Sequence, residues 1–326
     1  MEILKLKPTT KDYLWGGNLL RKKYNKTSKD EIIAESWELS AHKDGLSIIQ
    51  NGEFEGIDFQ TYLDKKGNGV IGKDYDKERF PILIKFIDAL KPLSIQVHPK
   101  DEYAIKNEND FGKTEMWYVL EAEDNSFLYY GFNKEISKEQ YKNSIEDGTI
   151  ENYLNKVNVK KGDIFFIEAG TVHAIGAGIV ICEIQQNSNV TYRVYDYKRK
   201  DKFGNERELH IEKAIEVSNL TPNPTYEFTN ENYINPKLKR LAKSEYFDVF
   251  KGNVEDGVLG YKVEDSSFQS LTFVEGSGYI EFDDDKIEFN KGDTFFISAQ
   301  NSLYSIYGEG EFILSCLPME EKPFMF

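Results

Sequence analysis

Hydrophobic and polar positions alternate with a period of two in many short runs along the chain, and Gly, Asp and Asn separate the runs. Alternation sends successive side chains to opposite faces of an extended chain, so each run predicts a β-strand. The runs are Glu2–Lys7, Leu46–Gln50, Ile82–Ile87, Leu93–Val97, Glu115–Ala122, Ser126–Phe132, Ile164–Glu168, Ile179–Gln185 and Val190–Tyr197. Helical spacing is scarcer. Ser137-Lys-Glu-Gln140 has a capping-box pattern that opens a helix towards Ile145. Thr149–Asn155 and Leu209–Val217 have helical spacing, and Phe59–Asp64 has a weaker form of it. The expectation is a mainly β protein with a few short helices.

The chain also repeats itself. Lys161-Gly-Asp-Ile-Phe-Phe-Ile167 returns 130 residues later as Lys291-Gly-Asp-Thr-Phe-Phe-Ile297, and Trp117-Tyr-Val-Leu-Glu121 has a looser echo in Leu271-Thr-Phe-Val-Glu275. A Gly-Asp turn feeding an apolar strand is a recurring step of small antiparallel barrels, since the turn reverses the chain and the strand buries one face. Two jelly-roll barrels of the double-stranded β-helix type follow, one in residues 1–220 and one in 235–326, with Thr221-Pro-Asn-Pro224 as linker.

Composition narrows the classes. The 326 residues are 40% hydrophobic and 14% aromatic, which supplies a sizeable core and excludes a disordered chain. A net charge of −15 opposes nucleic acid and anionic membrane, so neither is expected as a partner. Any anionic ligand would then need a local basic cluster. Cys182 and Cys316 lie too far apart in sequence to form a metal pair and fit a reduced compartment. No apolar leader or stretch of roughly 20 apolar residues occurs, so a cytoplasmic protein is expected. Oligomeric state leaves no trace in the sequence.

The chemistry starts from four histidines, His42, His98, His173 and His210. His98 closes Leu93-Ser-Ile-Gln-Val-His98, where Gln96 and His98 share a face; Glu115 opens the next strand, and His173 follows the Gly-Asp strand. Adjacent barrel strands can bring Gln96, His98, Glu115 and His173 to one mouth. Such a nitrogen and oxygen donor set suits a catalytic Zn²⁺ with an open position, although other divalent metals also fit. The position 130 after His173 is Leu303, and no histidine follows His210, so the second barrel is expected to be metal-free. His42 and His210 lie in no such motif and read as structural.

Glu183 interrupts the apolar run Ile179-Val-Ile-Cys-Glu-Ile-Gln185. A carboxylate buried there is either functional or ion-paired, with Arg193 or a lysine as partner. Arg193 follows the Gln186-Asn-Ser-Asn189 turn, which would place it on a strand next to that of Glu183. Its guanidinium suits oxyanions. Lys198-Arg-Lys200 fits a phosphate patch or a solvated loop, and Trp15, Trp37 and Trp117 fit core packing or sugar stacking.

Four ordered motifs, Pro92-Leu-Ser-Ile-Gln-Val-His-Pro99, Gly112-Lys-Thr-Glu-Met-Trp117, Gly170-Thr-Val-His-Ala174 and Asn189-Val-Thr-Tyr-Arg-Val-Tyr-Asp196, resemble those of type I mannose-6-phosphate isomerases in their short bacterial form. Trp15-Gly-Gly17 and Glu35-Ser-Trp-Glu-Leu-Ser40 resemble the N-terminal segment of the same family. The resemblance implies a cupin fold and the interconversion of mannose 6-phosphate and fructose 6-phosphate. It also implies one Zn²⁺ per chain in the N-terminal barrel, held by Gln96, His98, Glu115 and His173. Arg193, Lys113 and Glu183 take the catalytic positions, and Arg193, Lys113 and Ser94 face the sugar phosphate. Two other readings stay open, a non-catalytic sugar-phosphate-binding cupin and a metal-dependent cupin oxygenase. Lys113, Glu183 and Arg193 beside the ligands favour the isomerase.

Overall fold

The structure, a computed structural model, describes residues 2–201, 203–222, 233–235 and 238–319. Asn223 and Pro224 of the expected linker, and the chain beyond Met319, lie outside the described residues. The protein is mainly β, as its alternation predicts, and its strands form three sheets. A six-stranded sheet runs in the order Ile164–Ile167, Glu115–Ala122, Ile179–Gln186, Ile82–Ala89, Glu35–Leu39, Thr9–Lys11. A five-stranded sheet runs Tyr192–Tyr195, Ile95–Val97, His173–Ile175, Phe127–Phe132, Leu154–Asn158. A nine-stranded sheet holds the C-terminal strands and takes in Ile3–Lys7, which pairs antiparallel with Thr294–Ile297.

The six-stranded sheet is buried on both faces, which is why Ile82–Ala89 reads as an almost unbroken apolar run. Ile84, Phe86, Met116, Tyr118, Cys182 and Ile184 pack with Phe247, Phe296 and Ile313 of the C-terminal half. The alternate positions Ile87, Trp117, Val119, Ile179 and Ile181 pack with Leu128, Tyr130 and Ile175 of the five-stranded sheet. Period two therefore commits Lys85, Glu115, Glu183 and Gln185 to the space between those two sheets. Cross-strand register completes the picture, because Trp37 stands opposite Lys85, Lys85 opposite Glu183, and Glu183 opposite Trp117. One row of side chains thus crosses four strands.

The sequence repeat is a structural repeat. Gly162 N donates to the Val119 carbonyl and Gly292 N to the Phe273 carbonyl, both at 2.8 Å, while Val119 and Phe273 each donate back to the Asp of the turn at 2.9 Å. Phe165 faces Trp117 in the first copy, and Phe295 faces Leu271 in the second. Lys161 and Lys291 grip the same Glu275 carboxylate, at 2.7 and 2.8 Å, and so tie the two turns together.

The capping box is present, with Ser137 opening the helix Lys138–Glu146, and Asp58 caps Phe59–Lys66. Leu209–Val217 becomes the helix Ile211–Val217. Thr149–Asn155 is a correction. It forms a single 3₁₀ turn, Ile150–Tyr153, after which Leu154–Asn158 pairs with Phe127–Phe132, so strand pairing overrides local spacing. Leu46–Gln50 shortens to Ile48–Ile49.

Candidate active site

Gln96, His98 and His173 come from the five-stranded sheet and its strand ends, and Glu115 comes from the six-stranded sheet facing it. His173 stands directly opposite Gln96 in the ladder. Each imidazole is oriented by its own backbone partner, since His98 Nδ1 lies 2.8 Å from the Val190 carbonyl and His173 Nδ1 2.9 Å from the Thr171 carbonyl. A carbonyl only accepts, so both Nδ1 atoms carry the proton and both Nε2 lone pairs face inward. One ligand atom each from His98, Glu115 and His173 falls within 4.8 Å of the others, and all three residues are buried.

The donor set fits a divalent metal. His173 Nε2 is 3.3 Å and His98 Nε2 3.7 Å from Glu115 oxygens, and neither Glu115 oxygen accepts a well-formed hydrogen bond. The Lys113 ammonium is the carboxylate's close neighbour, 2.6 Å from Oε2. Gln96 Nε2 lies 3.4 Å from His173 Nε2, so turning the amide over would present Oε1 to the same centre. Among the described residues this is the one cluster of three such ligands.

Burial dominates the electrostatics. It pushes His173 down to about 4 and lowers His98, with the Lys113 charge adding to the second effect, so both rings are neutral donors at pH 7. Burial raises Glu115 to about 8, against the opposing pull of Lys113 and with a further push from Glu183. Glu183 goes the other way. Burial would raise it, but Lys113 and Lys85 outweigh burial and hold it below the usual carboxylate value. Its Oε2 is 3.7 Å from Lys85, its Oε1 3.9 Å from Lys113, and the Trp117 indole donates to Oε1 at 3.0 Å.

A cavity of about 260 Å³ opens beside this cluster. Ser94, Gln96, Lys113, Glu183 and Arg193 all line it, so the expected residues share one space. The expected neighbouring strands of Glu183 and Arg193 are a correction, because the two residues face each other from different sheets. Their ion pair is absent too; the buried lysines take that role for Glu183. Arg193 instead donates to the Glu208 carbonyl at 2.8 Å, and its Nε is buried without a partner.

Three further charged lining residues escaped the sequence reading. Lys85 had a signal, a lone cation in an apolar run, which is the argument that singled out Glu183. Glu35, 3.6 Å from Lys85, opens the family-like segment Glu35-Ser-Trp-Glu-Leu-Ser40 but had no role assigned to it, and Arg207 had no signal. Arg207 and Arg199 both bind Asp196, Arg207 through two hydrogen bonds of 2.7 Å. With Arg193 this sets three guanidinium groups against two carboxylates, Asp196 and Glu208, a local excess of cation in a chain of net −15. Lys198 and Lys200 are exposed, so of that basic run only Arg199 is engaged. Trp37 is a core residue, while Trp15 and Trp117, also buried, line the cavity. His42 sits apart between Asp44 and Asp110, and His210 accepts from Arg193 N, so both are structural.

The family model for the catalytic domain of type I phosphomannose isomerase matches residues 3–127, and that for the mannose-6-phosphate isomerase cupin domain matches 237–317. Mannose-6-phosphate isomerase ManA of Bacillus subtilis is 37% identical over 97% of this chain and 99% of its own length. The chain belongs to the type I phosphomannose isomerase family. Mannose-6-phosphate isomerase of Streptococcus mutans is 35% identical over 93% of this chain and 94% of its own. The crystal structure of the Bacillus subtilis mannose 6-phosphate isomerase superposes with a TM-score of 0.89 at 34% identity, covering 97% of this chain and 99% of that one. A zinc-bound mannose 6-phosphate isomerase has the same fold, with a TM-score of 0.80 at 18% identity over 98% of this chain and all of that one. The protein is therefore an enzyme of the aldose–ketose isomerase class with the cupin fold. The readings as a non-catalytic cupin or an oxygenase fall away. No described helix is long and apolar enough to cross a membrane, and Cys182 and Cys316 are buried free thiols.

Proposed function

We propose that this isomerase interconverts mannose 6-phosphate and fructose 6-phosphate in the cavity beside His98, Glu115 and His173, using one zinc ion in residues 1–220. Residues 235–326 serve as a metal-free, cupin-like support, and the enzyme works in the cytoplasm. The observation that carries the reading is the buried two-histidine, one-carboxylate cluster beside a cavity lined by Gln96, Lys113, Glu183 and Arg193. His98, Glu115 and His173 would hold the ion, with Gln96 as fourth ligand. A bound zinc supplies Lewis acidity that polarises the sugar's carbonyl and hydroxyl oxygens.

The rest of the chemistry belongs to the chain. Isomerisation moves a proton between C1 and C2, and that proton is only weakly acidic. Glu183 is held ionised by Lys113 and Lys85, so it can accept the proton as a positioned base. Lys113 keeps an ammonium beside the developing oxyanion, and Arg193 adds a second fixed cation. At the mouth, Arg193 and Arg207 supply the positive charge that a phosphate dianion needs to enter an acidic protein, with Ser94 as a hydroxyl contact. The test is fructose 6-phosphate formation from mannose 6-phosphate, before and after chelation and again on zinc addition. Conversion that survives complete metal removal would overturn the reading.

A further inference from the structure

Gly112–Thr114 is the short segment that delivers Lys113 to the cluster, and its three consecutive N–H groups are each held from a different direction. Gly112 N donates to Asp101 Oδ1 at 2.7 Å, Lys113 N to the Pro99 carbonyl at 3.0 Å, and Thr114 N to Gln186 Oε1 at 2.9 Å. The fit has little slack, because a Cβ at Gly112 would lie 2.4 Å from Asp101 N.

Gln186 is the joint of this arrangement. Its backbone N donates to the Thr114 carbonyl at 3.0 Å, its side-chain oxygen accepts from Thr114 N, and its Nε2 donates at 2.9 Å to the same Asp101 oxygen that holds Gly112. The strand ladder needs only the first of these. By alternation from Glu183 the side chain of Gln186 leaves the sheet on the face away from the catalytic cavity, and it lines a separate cleft with Asp101, Phe111 and Tyr246. It is 3% exposed and touches no reacting group.

We infer that Gln186, acting with Asp101, is a positioning residue that fixes the Lys113 ammonium relative to Glu115, His98 and Glu183. The inference rests on the isomerase reading for what Lys113 does. A displacement of about 1 Å can cost up to ~10²-fold in rate, and Lys113 has three partners whose spacing depends on where its backbone starts.

The test uses Gln186→Met, which keeps length and apolar bulk but neither hydrogen bond. Gln186→Glu keeps the acceptor for Thr114 N but sets a second carboxylate against Asp101. Gln186→Glu/Asp101→Asn then restores a donor and acceptor pair, with the oxygen of the introduced amide kept for Gly112 N and its nitrogen turned to the new carboxylate. Gln186→Met and Gln186→Glu should each lower kcat by about 10-fold or more, leave KM within about twofold, and retain one metal equivalent. The double variant should recover to within about threefold of the parent. Parental kcat in Gln186→Met overturns the proposal. So does a loss that tracks depleted metal or a steep rise in KM, or a double variant no faster than Gln186→Glu. If Gln186→Met fails to fold, the one-atom change to Glu and its rescue decide alone. A parent enzyme that converts no sugar phosphate would overturn the functional reading instead, a result read before any variant is made.

Discussion

Lys113 places its ammonium 2.6 Å from the carboxylate of Glu115, two residues along the chain, and 3.2 Å from Nε2 of His98. Lys113 lies two residues before the strand Glu115–Ala122, and the hydrogen bonds of the Gly112–Thr114 backbone set where its side chain starts. The contact puts a fixed cation against the ligands of a cation site. Replacing Lys113 by Met should therefore lower kcat by about 10²-fold or more, as loss of an oxyanion donor does, while bound metal stays at one equivalent. Unchanged turnover would remove Lys113 from the chemistry.

Metal content is the direct check on the cluster. His173→Ala should lower both zinc stoichiometry and turnover, because the ring is fully buried and its Nδ1 is already committed to the Thr171 carbonyl. A His98→Ala/His173→Ala protein that still binds one full equivalent of metal would refute the assignment.

Arg193 separates catalysis from anchoring. It makes no ion pair with Glu183, so Arg193→Ala should spare the protein the roughly 3–5 kcal/mol loss that follows when one partner of a buried pair is removed. With melting unchanged, a fall in kcat of ~10²-fold at steady KM marks stabilisation of the developing oxyanion. A steep rise in KM at steady kcat marks a phosphate anchor.

Asp196 gives the mouth its acid sensitivity. Burial would raise its pKa, but hydrogen bonds from Arg207 and Arg199 outweigh burial and hold it below the ordinary carboxylate value. A group depressed on folding stabilises the native state above the unfolded pKa, about 3.9 for Asp, and that contribution fades as the pH falls towards the lower folded value. Stability measured between pH 6 and 3 should thus fall less steeply in Asp196→Asn than in the parent. The variant should also raise KM, because Arg207 loses one of its two acceptors and the paired charge.

Removing the C-terminal half should cost the first half its solubility. Phe296 packs against Phe59 and Phe80 of the first half, and the buried Lys26 reaches both Glu38, at 2.6 Å, and the Gly292 carbonyl. Each fully buried Phe contributes about 1.5–3 kcal/mol. A chain ending near residue 230 that stays soluble and fully active would contradict this.

Much of the site was legible because its signals are local. Gln96 and His98 on one strand face, Glu115 at a strand start and Glu183 as a lone charge in an apolar run follow from alternation alone. Lys85 obeyed the same rule and went unremarked. Arg207 and Glu35 could not be read, since only the pairing of distant strands and the Asp196 contact bring them to the cavity. The longest strands were missed for a related reason. Asp248–Val263 carries Lys251, Asn253 and Glu255 among three glycines, a pattern that looks like loop. At Gly252 a Cβ would lie 2.2 Å from the Phe312 ring, so that glycine is a packing requirement rather than a turn.

The pairing of Ile3–Lys7 with Thr294–Ile297 has a consequence for how the enzyme is made. The two strands are separated by about 290 residues, which a ribosome adding ~5–20 residues per second takes roughly 15–60 s to cover. Throughout that interval one edge of the first strand has no partner, and an unpaired edge recruits strands from other chains. Newly synthesised copies on one polysome would carry the same open edge at the same time. Slower translation or loss of chaperone should therefore lower the soluble yield of this protein more than that of one whose first strand closes locally.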